Sequence, residues 1–274
     1  QGRVATGTRT PNFQPRELCT VSSRDEYRVD MHVKVLDERV VERAKARDID
    51  ALVYAPHFVP LPEVRQRAAA FSDDDLLVVP AREVFTGTWR NRKHVLAVGL
   101  DDPVPDFITL AGAMAEFQRQ DAAVLVPHPE FLNVGIGEDD IRVHADVVDA
   151  VETYNPKHLA RHNRRAKEIA RVTRKPTFAS SYAHLARTVG DVWTALDEPV
   201  SSTGDLVAAV TSGDLGRVVH LSGRSHRLRC KVEFAHLGWE NTWKKFDRIV
   251  LSGTEPTHPA ADVYDGRFDD VRVY

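Results

Sequence analysis

Residues 27–34 have the sequence YRVDMHVK, in which a short apolar strand leads into a histidine. Tyr27–Met31 fits a strand, and His32 follows it directly. Beyond this stretch a helix is predicted over Asp37–Arg47 and the next strand over Ala51–Ala55, because the apolar positions change from helical to strand spacing. Strands that alternate with helices are typical of βα units around a parallel sheet.

The same alternation continues through most of the chain. About seven βα units in 274 residues fit a closed or distorted barrel better than an open sheet. In such a barrel, reactive side chains lie at the C-terminal ends of the strands. Further strands are predicted at Leu76–Pro80, His94–Val98, Ala122–Val126, Val147–Thr153 and Thr177–Ser180, and further helices at Phe107–Arg119 and Leu159–Val172.

Composition excludes several classes of protein. Hydrophobic residues make up 42% of the chain, which is enough for a sizeable core. The net charge of −3 gives no overall basic excess, so general nucleic-acid binding is not indicated. No apolar run approaches the roughly 20 residues that span a bilayer. Cys19 and Cys230 show no zinc-binding spacing and no disulfide framework, which predicts a cytoplasmic location.

Three segments are predicted along the chain. Residues 1–27 are polar and form an N-terminal arm. Residues 28–212 form the barrel. Residues 213–274 form a basic and amphipathic C-terminal segment that packs on the barrel. Its basic positions are Arg217, Arg224, Arg227, Arg229 and Lys231, and its apolar positions near helical spacing are Phe234, Leu237, Trp243, Phe246 and Ile249.

Potential metal ligands stand at or just past the ends of five predicted strands. A single histidine beside a core strand is more often a hydrogen-bonded structural residue than a ligand. Five such groups at equivalent barrel positions would converge on one pocket, where imidazole and carboxylate suit Zn, Mn or Fe. His94 stands at a strand start, where a hairpin would return it to the same rim. The five residues are His32, His57, Glu83, His128 and His184.

An ordered series of short motifs resembles the PHP (polymerase and histidinol phosphatase) family of phosphoesterases. The motifs span Arg28 to Leu185 and are VDMHV, ALVYAPHF, VVPAREVF, KHVLAVGL, VPHPEF, VETYNP, HNRRAKEIA and ASSYAHL. The resemblance implies a distorted (β/α)7 TIM-like barrel, here with a C-terminal extension, that holds two or three divalent metal ions. It implies metal roles for His32, His57, Glu83, His94, His128 and His184, with Glu83 as the bridging carboxylate.

Two positions depart from the family pattern. The first family motif is His-x-His, whereas this chain has His32 followed by Val33 and Lys34. Tyr182 stands where the late family motif has Asp. A protonated lysine cannot be a metal ligand, and both changes fall on one metal position. We therefore expect fewer than three ions, with Lys34 and Tyr182 in the vacant position. Lys34 either replaces the metal with its ammonium or extends to solvent along its aliphatic stem.

Two acidic residues near this motif leave alternatives open. Asp37 is either a shifted ligand or the N-cap of the helix that follows, and the N-cap is favoured. A second register would place Asp30 where the family has its first histidine. Asp30 is favoured as a structural group beside the strand.

The predicted function is metal-dependent phosphoester hydrolysis. A phosphate mono- or diester would be cleaved by metal-activated water, with Glu83, His128, Lys34 and Arg161 as catalytic residues. Arg161 would hold a phosphate by a bidentate contact. The expected substrate is a small phosphorylated molecule or a nucleotide, and no organic cofactor is implied. The alternative is a non-catalytic barrel that acts as a binding or RNA-associated subunit, for which the PHP-like protein subunit of RNase P is the precedent. Residues 223–231 would then contact the phosphate backbone of the RNA.

Overall fold

The computed structural model describes residues 26–88, 90–132, 134–236 and 256–273. Most of the predicted N-terminal arm lies outside the described residues, and so does Cys19. The same is true of four apolar positions predicted in the C-terminal segment, which are Leu237, Trp243, Phe246 and Ile249.

The described residues form a single nine-stranded sheet in the order β7-β6-β5-β4-β3-β2-β1-β8-β9. Every strand except β9 is largely buried, which the apolar runs in the sequence predict. The strands are β1 (Tyr27–Val33), β2 (Ala51–Tyr54), β3 (Leu77–Thr86), β4 (Lys93–Val98), β5 (Ala123–Val126), β6 (Ala150–Tyr154), β7 (Thr177–Ala179), β8 (Val192–Leu196) and β9 (Arg217–His220).

Helices connect many of these strands and cover the sheet. The first helix begins at Asp37, whose carboxylate accepts a hydrogen bond from Val40 N at 2.9 Å. The favoured N-cap role of Asp37 is therefore confirmed. The helices are α1 (Glu38–Lys45), α2 (Leu61–Phe71), α3 (Leu110–Arg119), α4 (Glu138–Val143), α5 (Ala160–Thr173), α6 (Thr203–Ser212) and α7 (224–236).

The two ends of the sheet approach each other, so the sheet is nearly a closed barrel. Ala179 N in β7 donates to Thr194 Oγ1 in β8 at 3.0 Å. Just past the strand ends, Lys34 N donates to Ala183 O at 2.9 Å. The predicted barrel is confirmed, but it is not all parallel, because β4 pairs antiparallel with β3 and β5, and β8 with β1 and β9.

Strand β3 is longer than predicted, and this moves Glu83. We predicted a strand that ends at Pro80, with Glu83 just after it, and this strand end was wrong. Pro80 is the last residue of β3 that pairs with β2, and from Ala81 onward the strand pairs with β4 instead. The change of partner continues the ladder, so Glu83 lies within β3 and is completely buried.

The C-terminal residues add to the barrel at two places. Strand β9 pairs antiparallel with β8, so the sheet continues past residue 212. Residues 256–273 pack beside β3 and α3, where Asp106 N donates to Thr257 O and Thr109 N donates to Val271 O, both at 2.8 Å. Within the described residues, no helix is both long and apolar enough to cross a bilayer.

Candidate metal centre

Glu83 lies at the centre of the predicted ligand set. Its Oε1 atom is 3.1 Å from His128 Nε2, 3.5 Å from His94 Nδ1 and 3.9 Å from His32 Nε2. Three strands supply these contacts, since His32 is in β1, Glu83 in β3 and His94 in β4, while His128 follows β5. The predicted hairpin is present, because β4 runs back along β3 and pairs His94 with Phe85.

The other carboxylate oxygen of Glu83 faces a cation. Lys34 Nζ lies 2.5 Å from Oε2 and also donates to Ala55 O at 2.6 Å. His57 Nε2 lies 2.7 Å from the same Oε2, and the His57 and His184 rings are 5.8 Å apart. Lys34 is buried, so the alternative of a lysine that extends to solvent was wrong. The structure thus brings all six predicted ligands and Lys34 to one place.

Tyr182 fills the space between the imidazoles. Its ring centroid is 5.0 Å from those of both His32 and His184 and 5.4 Å from that of His128. Lys34 Nζ lies 5.6 Å from the centre of the same ring. Tyr182 has a φ of 48°, a left-handed backbone conformation that is uncommon for a bulky side chain. The two residues that depart from the family pattern therefore stand side by side at the Glu83 carboxylate.

Three of the predicted ligands could hold one metal ion. Each of these residues offers one ligand atom, and the three atoms lie within 4.8 Å of one another. The residues are Glu83, His94 and His128, and all three are buried. Among the described residues, both ring nitrogens of His32 and of His94 and Nδ1 of His128 are buried without a hydrogen-bond partner. Unpaired buried nitrogens are costly, and a cation would take the lone pair of one nitrogen from each imidazole that faces it. These residues therefore fit a divalent ion.

Burial and charge set the protonation of the centre. Burial lowers the pKa of His94 to about 4 and holds the pKa values of His32 and His57 well below their usual range. Burial alone would raise the pKa of Glu83, but the Lys34 ammonium and the nearby imidazoles hold it well below its usual value. Burial lowers the pKa of Lys34 to about 8. At neutral pH the centre therefore contains an ammonium–carboxylate pair beside the neutral imidazoles of His32, His57 and His94.

Glu152 supports the backbone of His128, and sequence reasoning missed this role. Its Oε2 accepts hydrogen bonds from His128 N at 2.7 Å and Asn155 Nδ2 at 3.2 Å, and its Oε1 accepts one from Ser180 Oγ at 2.6 Å. Burial raises the pKa of Glu152, although all three donors oppose this. Its position inside an apolar strand was the available signal, since a buried carboxylate needs partners.

Two other predicted candidates lie outside the ligand set. Asp30 is buried and accepts hydrogen bonds from Ser181 N at 2.9 Å and Gly190 N at 3.1 Å, which agrees with the favoured structural role. Arg161 is exposed in the first turn of α5, where its Nε lies 3.4 Å from His162 Nε2.

Comparisons with known proteins agree with this architecture. Residues 160–215 match the family model of PHP-associated segments, which confirms the predicted resemblance to PHP proteins. The fold is similar to PsfC from Pseudomonas syringae, at 20% identity and a TM-score of 0.59 over 80% of this chain and 100% of that one. At this identity the likeness describes the fold alone. A search of curated protein sequences gives no match.

Two further solved structures are more distant. One is a predicted metal-dependent phosphoesterase from Bifidobacterium adolescentis, at 12% identity and a TM-score of 0.47 over 72% of this chain and 98% of that one. The other is an amidohydrolase from Chromobacterium violaceum with bound sulfate and no metal, at 13% identity and a TM-score of 0.49 over 70% of this chain and 97% of that one.

Proposed function

We propose that this PHP-like barrel is a metal-dependent hydrolase that cleaves phosphate mono- or diesters, with a lysine ammonium in place of one metal ion. The observation that carries the proposal is the buried group of Glu83, His94 and His128, whose ligand atoms lie within 4.8 Å of one another. Imidazoles beside an ionised carboxylate form a ligand set that suits Zn, Mn or Fe. The proposal includes the cytoplasmic location that the two cysteines predict.

A divalent ion in this group would supply Lewis acidity toward a phosphoryl oxygen and lower the pKa of water. In the hydrolysis, a water oxygen bonds to phosphorus, the ester P–O bond breaks, and the leaving oxygen takes a proton. Lys34 contributes to the proposed reaction through its positive charge. Two of its three N–H groups donate to Glu83 and Ala55 O. The third could donate to a phosphoryl oxygen of a bound substrate, where the fixed positive charge would stabilise the transition state.

The residues around the ion pair orient it and keep water out. Glu152 holds the backbone of His128 in place through its 2.7 Å hydrogen bond. Tyr182 covers the imidazoles with its ring and excludes bulk water, which strengthens each electrostatic contact. Arg161 is exposed in the first turn of α5, and its role in the proposal is to bind the phosphate of the substrate.

Elemental analysis combined with a hydrolysis assay tests this proposal. Wild-type protein should contain a divalent metal and hydrolyse generic phosphoesters when Mn or Zn is added. Glu83→Ala should lose both metal and activity, while His220→Ala, which removes an exposed imidazole outside the centre, should keep both. Lys34→Ala should lower turnover more than metal content. Equal rates from wild type and Glu83→Ala would refute the proposal.

A non-catalytic, RNA-associated barrel is the second candidate. Two observations favour it. The Lys34–Glu83 ion pair neutralises the carboxylate without any metal, and α7 exposes Arg224, Arg227 and Lys231 to solvent. Metal-free protein that retains RNA at low salt and releases it at high salt would support this candidate over the hydrolase, because backbone contacts are salt-dependent.

A further inference from the structure

A cavity of about 410 Å³ lies between the start of α5 and helix α7. From α7, Arg227, Lys231 and Phe234 line it, and their spacing of four and three residues places them on one helix face. The opposite wall comes from residues 154–163, at the end of β6 and the first turn of α5. The volume is within the range of small-molecule sites.

The walls of the cavity are aromatic and apolar. Phe234 is 53% exposed and Leu159 is 60% exposed, which is unusual for large apolar side chains that line the same cavity. Tyr154 and His158 also line it. The His158 ring stacks on Phe131 at 4.1 Å, so the ring is held in one orientation. Fixed flat rings and apolar walls favour a flat apolar ligand.

The charge of the cavity favours an anionic ligand. No acidic side chain lines it among the described residues, whereas Arg227 and Lys231 do. Lys157 also lines it, but its ammonium is paired with Glu233 at 3.5 Å. The side chains of Arg227 and Lys231 belong to exposed residues of α7, so both can reach a ligand at the cavity mouth. A concave site with cations on one side and apolar rings on the other fits a molecule with an apolar part and a negative charge.

The cavity adjoins the metal centre. His158 lines the cavity, and its ring centroid is 6.4 Å from that of His128. Lys157 also lines it and places Nζ 4.6 Å from the centre of the Tyr182 ring. Since Tyr182 contacts the imidazoles of the centre, one layer of side chains separates cavity and centre. The cavity is therefore a site of its own beside the centre.

We infer that this cavity is a second binding site, for a small anion that carries a flat, apolar ring. The exposed cations Arg227 and Lys231 are placed to hold the anionic group, and Phe234 and Leu159 to contact the ring. The inference does not depend on the proposed hydrolase. Phe234 and Leu159 are specificity-determining residues in this account, because they contact the ring and not the anionic group.

Calorimetric titration with non-hydrolysable phosphonates tests the inference on the protein as purified. The probes are 1-naphthylmethylphosphonate and methylphosphonate. Wild type should bind the naphthyl compound more tightly, and Phe234→Ala should weaken that binding by roughly 3- to 10-fold. Leu159→Ala should weaken it in the same direction. Leu228→Ala is the matched control, because Leu228 is 65% exposed on α7 and does not line the cavity.

Methylphosphonate lacks the ring, so its affinity reports on the binding of the anionic group alone. Its affinity should be equal in wild type, Phe234→Ala and Leu228→Ala. Equal naphthyl affinity in these three proteins would overturn the inference, whether or not the protein hydrolyses esters. Because a phosphonate is not cleaved, naphthyl binding that depends on Phe234 would uphold the cavity assignment even if no hydrolysis is found. Failure of the hydrolase proposal is therefore a separate result.

Discussion

The Lys34 ammonium lies 2.5 Å from Oε2 of Glu83, and both side chains are buried. The resemblance to PHP proteins implies that this carboxylate bridges two ions, whereas here one of its two oxygens contacts an amine. Breaking a buried pair by removing one partner costs about 3–5 kcal/mol because it leaves a charge uncompensated. Lys34 therefore stabilises the ionised carboxylate of Glu83.

Replacing Lys34 with the histidine of the family motif should increase the number of metal ions bound. In Lys34→His the repelling ammonium is gone and an imidazole is gained, so we expect the variant to bind more divalent metal per chain than wild type. Inductively coupled plasma mass spectrometry on dialysed protein measures the difference. Lys167→His adds an imidazole at an exposed position of α5 and should leave the metal content unchanged. An unchanged metal content in Lys34→His would contradict the account.

A carboxylate at position 182 should add to that effect. The left-handed φ of 48° at Tyr182 is tolerated better by Asp than by Tyr. In the Lys34→His background, Tyr182→Asp should bind metal more tightly than the parent, as measured by competition with a chromogenic chelator. Tyr182→Asn is the matched control, since it has the same shape without the charge. Equal affinities for the two double variants would show that position 182 does not face the ion.

Glu152 should matter for metal affinity although it is not a ligand. Glu152→Gln weakens the support of His128 N and of Ser180 Oγ, and loss of such supporting contacts costs about 10- to 100-fold in metal affinity. Isothermal titration with Zn measures this loss. Glu63→Gln, on the exposed side of α2, should bind Zn like wild type. A wild-type Zn affinity in Glu152→Gln would assign Glu152 a purely structural role.

The metal-free protein should lose stability in mild acid. The pKa values of His32, His57 and His94 are lowered in the folded state, so the unfolded chain takes up protons first as the pH falls below about 6.5. Stability is therefore complete above this pH and decreases below it. For His94 alone the loss between pH 6.5 and 5 is about 2 kcal/mol. Urea unfolding of chelator-treated protein measures the slope, which should be shallower in His94→Asn. Constant stability over this range would contradict the assigned protonation.

Sequence reasoning predicted the barrel and the convergence of the ligands, because strand ends of a βα barrel meet at one rim. It did not predict that Glu83 lies inside β3, since Pro80 marks a strand end locally and the continuation depends on pairing with the distant β4. It left the role of Lys34 open, because the contact joins residues 49 positions apart. Strand β9 was missed because its RVVH sequence is half-exposed and lies among charged residues.

Anomalous diffraction from crystals soaked in Mn or Zn tests the central claim most directly. The account predicts an ion in contact with Glu83 Oε1, His94 and His128, while Lys34 Nζ keeps its contact with Oε2. Two results would contradict it. One is an ion bound between Glu83 Oε2 and His57 with Lys34 displaced, and the other is no ion at the centre at saturating metal.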